Sequence, residues 1–132
     1  MKQQQNDFST QVINVAYIYD LCQRKRIIFT DKINRKEWYK WNTKQRNSFI
    51  EYLRKDYPVK PLICYRKIIN DSLSYYICDG YNRIRAIMKY LKKRGTLEVE
   101  LMRKLIVLEI IPEELPEKEV NYIYEKLNRL KT

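Results

Sequence analysis

The amino-acid sequence predicts a single α+β domain, and three observations carry that prediction. Four stretches repeat apolar residues at helical spacing, two β-rich runs at 61–69 and 73–78 flank a short polar turn, and "LIVLEII" (105–111) reads as a further, buried strand. With 132 residues, 45% of them hydrophobic and 33% charged, the chain can bury one core. Residues 1–9 read as a flexible polar N-terminal segment and 10–132 as the domain.

The elements follow in order. Val15, Ile18, Tyr19 and Cys22 recur at helical spacing and predict a helix over 10–24, and "RIIF" (26–29) is a short strand. Residues 30–41, "TDKINRKEWYKW", form an irregular basic and aromatic connection. Asn42 with Gln45 three residues on is a capping-box pattern that starts a second helix. Its stripe is Phe49, Ile50, Leu53 and Tyr57, and Pro58 ends it. "PLICYRKII" and "LSYYIC", separated by "NDS", predict a hairpin. A third helix after Gly80 carries Ile84, Ile87, Met88 and Leu91 on one face and stops at Gly95. A weaker strand is expected at 97–101 before the strand at 105–111. Pro116 and neighbouring acids open a last helix with Val120, Ile123, Tyr124, Leu127 and Leu130 on one face.

Composition excludes several chemistries. The chain has no histidine, which removes histidine general bases, Cys-His and Ser-His nucleophilic pairs, and HNH-type nuclease chemistry from this sequence. Cys22, Cys64 and Cys78 are odd in number and lack a CxxC pair, so they read as reduced core residues of an intracellular protein. There is no apolar run long enough to span a membrane. The net charge is +11, with residues 1–96 at +13 and residues 97–132 at −2. A basic body of this kind suits a polyanionic partner, and it equally serves solubility.

The junction Asp79-Gly80-Tyr81-Asn82-Arg83 joins a strand to a basic helix. Two readings stand side by side. In one, the first-turn amides and the helix dipole seat a phosphate, Arg83 clamps it, and Asp79 holds a sugar hydroxyl, a magnesium ion or a water. In the other, Asp79 is an ordinary N-cap and Arg83 is solvated. Arg85 lies about 200° from Arg83 around the helix and need not share its ligand.

"CDGYNRIRAIMKYL" resembles the Asp-Gly-x-x-Arg signature of the ParB/sulfiredoxin-like superfamily, in particular its DUF262 (GmrS-like) branch. "GYNRIRA" (80–86) is similar to the Gly-x-x-Arg-x-Arg-Ala box of ParB partition proteins. "WNTKQRNSFIEYLRKDYPVKPLI" (41–63) and "IYEKLNRL" (123–130) are similar to that branch's Trp-helix-Pro segment and its closing helix. The resemblance implies a small mixed sheet with about four flanking helices. It also implies a nucleoside triphosphate with Mg2+ held by Asp79, Gly80, Tyr81, Asn82, Arg83 and Arg85, with Asp79 and Arg83 as candidate catalytic residues. Tyr81-Asn82 stand where the branch usually has two glutamines.

For nucleic acid, with DNA the expected partner, the basic and aromatic residues Arg35, Lys36, Trp38 and Lys40 are contact candidates, joined by Lys92 and Lys93. Trp41 reads as a loop anchor, and "KKR" (92–94) also fits a helix C-terminus complementing its dipole. Tyr17, Tyr19, Tyr52, Tyr90 and Tyr124 read as core edges. A homodimer or a separate effector chain remains an expected partner, and a non-enzymatic interaction subunit is the competing reading.

Overall fold

The computed structural model describes residues 8–31, 40–94 and 98–131. Among them five strands and five helices follow in the order β1 (Ser9–Asn14), α1 (Val15–Gln23), β2 (Ile27–Phe29), α2 (Thr43–Arg54), β3 (Leu62–Ile69), β4 (Ser72–Asp79), α3 (Tyr81–Arg94), α4 (Val99–Met102), β5 (Leu105–Ile110) and α5 (Glu117–Lys131). The strands form one mixed sheet in the order β1-β5-β3-β4-β2. The β1–β5 and β3–β4 pairs are antiparallel, while β3–β5 and β2–β4 are parallel. The α+β class therefore holds.

Side chains alternate across the strands, and the two faces of the sheet are covered unequally. Leu62, Cys64, Tyr75, Ile77, Ile106 and Leu108 face the larger core, which Ile18 and Leu21 of α1, Ile50 and Leu53 of α2, and Ile84, Ile87 and Leu91 of α3 close. Ile63 and Cys78 face the other way, onto Val120, with Tyr124 and Leu127 of α5 packed alongside. No helix among the described residues is long and apolar enough to cross a membrane.

Local chemistry explains the boundaries. Asn42 accepts from the Gln45 amide while the Gln45 side chain accepts from the Asn42 amide, closing the expected capping box. The hairpin turns on Asn70 and Asp71, both at positive φ (52° and 63°), the two-residue form that matches strand twist. α1 and α2 both end in the same double-bonded motif without glycine. Lys25 and Asp56 take the left-handed position (φ 62° and 60°), with Arg26 N donating to Leu21 O, and Tyr57 N to Tyr52 O.

Three expectations change. Residues 9–14 are a strand rather than the start of a helix, because they pair with β5, nearly a hundred residues away. Ser9, expected in the flexible segment, is thus part of the sheet. The weaker strand expected at 97–101 is replaced by the short helix α4, which buries Leu101 in the larger core. Tyr57 lies past the end of α2 and pairs edge-to-face with Tyr52, and both rings are about half exposed, so Tyr52 is not a core edge. Gly95 lies outside the described residues.

Candidate functional site

The junction between β4 and α3 is the most constrained point of the chain. Gly80 has φ +139°, and a Cβ there would come within 2.5 Å of Leu62 Cδ2. The backbone conformation calls for glycine, and any side chain there would also have to push Leu62 aside. A bulge between β3 and β4 places Cys78 as the extra residue just before the turn.

Each polar group of the motif has a place. Asp79 is fully buried and Arg83 is 7% exposed. Arg83 Nη2 lies 3.1 Å from Asp79 Oδ1, and Lys60 Nζ lies 3.7 Å from Asp79 Oδ2. Arg83 Nη1 donates to the carbonyls of Lys60 and Pro61, at 2.5 and 3.2 Å. The Lys60 ammonium also stands over the Tyr124 ring, 4.7 Å from its centroid. Arg83 therefore ties the first turn of α3 to the backbone leading into β3, and Lys60 reaches α5. Asn82 Oδ1 accepts from Trp41 N, and Tyr81 meets Phe29 edge-to-face.

This geometry departs from the N-cap reading of the junction, and it gives Arg83 partners inside the protein. Neither Asp79 oxygen accepts a hydrogen bond among the described residues, so Asp79 is not an N-cap. Arg83 is not solvated, and its guanidinium is spent on an internal carboxylate and two internal carbonyls. Two cations face one carboxylate, and Asp79 Oδ1, Asp79 Oδ2 and Arg83 Nη2 are buried without hydrogen bonds.

The other flank of α3 is built in the opposite way. Arg85, Lys89 and Lys92 recur at i, i+4 and i+7, within an arc of about 60° at 100° per residue. The bond from Trp41 N to Asn82 sets the start of α2 against this flank, and Arg46 Nη1 donates to Trp41 O. Lys40 and Arg46 thereby join the stripe. Arg85 leads in lowering the Lys89 ammonium below its ordinary pKa, followed by Arg46, partial loss of hydration, Lys40 and Lys92. Arg85 Nη1 is buried with no hydrogen-bond partner among the described residues. The stripe is a concentrated positive charge, and the charges that act most strongly on Lys89 are all cations.

Of the candidate nucleic-acid residues, Lys40, Lys92 and Lys93 are exposed, while Arg35, Lys36 and Trp38 lie outside the described residues. Trp41 packs on Phe49 as the expected anchor. Arg46 closes the basic-aromatic stretch from Lys32 that the sequence offers as a nucleic-acid contact, whereas sequence reasoning missed Lys89 as a member of the cluster, although the 85/89/92 spacing was there to be read. It also missed Lys60, whose link to Asp79 spans nineteen positions and leaves no local pattern. Among the described residues no group of three or more His, Cys, Asp or Glu could hold a metal ion. No protein-family model matches the chain, and searches of curated proteins and of solved structures also yield no match.

Proposed function

We propose that the chain is a nucleic-acid-binding module that uses the α2–α3 cationic face and needs no histidine or resident metal. The observation that carries this reading is the stripe Arg85, Lys89 and Lys92 with Lys40 and Arg46 beside it, crowded enough to depress Lys89. Cations held against one another in this way are relieved when phosphates displace their counterions. The +13 body of residues 1–96 extends the same field. DNA is the first substrate to test. Four phosphate contacts on duplex DNA imply a slope of about −3 to −4 in log K against log salt. Arg85→Ala with Lys89→Ala should flatten that slope by about 1–2. A salt-independent affinity, or one unchanged by the double substitution, overturns the reading.

A second reading draws on the junction's unbonded polar atoms: a nucleoside triphosphate with its Mg2+ at Asp79–Arg83, in a ParB-like domain. It asks Arg83 to release the Lys60 and Pro61 carbonyls, with Asp79 as the protein's one contact to the metal. A triphosphate panel with Mg2+ tests it, since a ligand at 100 times its Kd adds about 2.7 kcal/mol of stability. The absence of any thermal shift leaves the junction as a structural brace.

A further inference from the structure

We infer that the nucleic acid is single-stranded and that its bases stack on the Tyr52–Tyr57 pair, in the groove along the outer face of α2. The inference rests on the proposed nucleic-acid reading and adds which form of nucleic acid is bound.

The groove is lined by Thr43, Lys44, Asn47, Lys55, Tyr52 and Tyr57, among others. Glu51, also in the lining, is paired with Arg54. The groove runs on from the cationic stripe: Arg46 Nη2 donates to the hydroxyl of Thr43, which lines the groove's near end. A strand whose phosphates lie on Arg46, Arg85 and Lys89 has its next nucleotides delivered past Thr43 along α2. Lys44 and Lys55 then supply phosphate contacts on the groove itself. The tyrosines stand at the far end, 53% and 49% exposed, with ring centroids 5.1 Å apart and planes at 85°.

The backbone that carries the pair is held in place. Tyr57 N donates to Tyr52 O and Asp56 N to Leu53 O, and Lys104 grips both carboxylate oxygens of Asp56 at 3.0 and 3.1 Å. A tyrosine ring on an ordered backbone has only two side-chain torsions to lose on binding a base. Stacking accepts any base because each has a π-face, whereas paired bases in a duplex keep theirs covered.

The test is fluorescence anisotropy with labelled oligo(dT), oligo(U) and a duplex of equal length, over a series of salt concentrations. Tyr52→Leu with Tyr57→Leu keeps an apolar contact at the end of α2 and removes the rings, and a thermal melt confirms its fold. The expected results are a single-strand preference of about tenfold or more, about tenfold weaker single-strand binding in the double variant, and unchanged duplex binding and salt slope. Tighter oligo(U) marks RNA as the strand and tighter oligo(dT) marks DNA, and either supports the groove. Equal affinity for duplex and single strand overturns the inference and leaves the cationic-face reading standing, as does wild-type single-strand binding by the double variant. No salt-sensitive binding to any of the three probes overturns both.

Discussion

Arg83 and Arg85 are separated by one residue of α3, yet acceptors enclose the first and cations crowd the second. Arg83 is 7% exposed, against Asp79 and two carbonyls. Arg85 adjoins Lys89, with Arg46, Lys40 and Lys92 contributing to the same field. The helix rotates about 200° between the two, enough to turn one side chain toward the sheet and the other away. The difference separates what builds the molecule from what the molecule can offer a partner. A motif that reads as a ligand seat in sequence here braces β3, β4, α3 and α5 together. Among the described residues, the charge without a carboxylate partner stands on the other flank.

The largest effects come from breaking the inner half of this contrast. Asp79→Ala leaves the Arg83 and Lys60 cations without their carboxylate and is expected to destabilise by about 3–5 kcal/mol, measured by urea unfolding. That is a large share of a domain stability of about 5–15 kcal/mol. Gly80→Ala should fall just short of it. A side chain at φ +139° costs about 1–3 kcal/mol, and displacing Leu62 adds about 1 kcal/mol or more. Asp79→Leu with Arg83→Met removes both charges of the pair, although Lys60 remains. It should cost less than the two single changes together. If either Asp79 variant matches the wild-type midpoint, the brace is not structural and the ligand reading of the junction gains.

The outer half should respond in the opposite sense. Arg85→Ala with Lys89→Ala is expected to change stability by less than about 0.5 kcal/mol per site, since neither side chain closes the core. The same variant should lose most of its salt-sensitive nucleic-acid binding. A variant that unfolds, or that binds as before, would erase the distinction between the two flanks.

Much of the fold was legible in the sequence because its signals are local. The capping box at Asn42, the turn at Asn70-Asp71 and the stripe Ile84, Ile87 and Leu91 each sit within a few residues. β1 was hidden because a six-residue strand that pairs only with β5 has no local partner. Its apolar residues run into the period of α1, so one helix was the simpler reading. The site divides in the same way. A helical wheel separates Arg83 from Arg85, but nothing in the chain's order announces that Lys60 lies against Asp79 or that Trp41 binds Asn82. The resemblance identified the junction as special without saying which way its charges point.

Lys25 offers a smaller test of how a chain with two glycines manages its turns. It holds the left-handed position after α1 at φ 62°. Lys25→Gly should stabilise by about 1 kcal/mol by relieving that conformation, read as a rise in Tm, and should leave both flanks of α3 untouched. A fall in Tm would mean that the lysine side chain contributes more than its backbone strain costs.

The smallest expected effect is the most specific to the outer flank. Lys89 has a folded pKa below its ordinary value of 10.5, with Arg85 the leading cause. The unfolded chain therefore holds that proton more tightly than the folded one. The strain is fully present at neutral pH and is relieved as pH rises through the folded pKa toward 10.5. The thiols act in the reverse direction. Burial pushes Cys22 up to about 11, and burial with the neighbouring Cys78 pushes Cys64 up to about 12. Their stabilising contribution is present below about pH 9 and is lost as pH climbs through those values. Comparing wild type with Lys89→Met cancels the thiols, which both proteins share. The variant should melt slightly higher at pH 7, and the gap should narrow by pH 10. Adding oligo(dT) at pH 7 should raise the Lys89 pKa, because bound phosphate answers the neighbouring cations. A Lys89 titration followed by NMR that does not move on adding the strand would place the phosphates elsewhere than on this flank of α3.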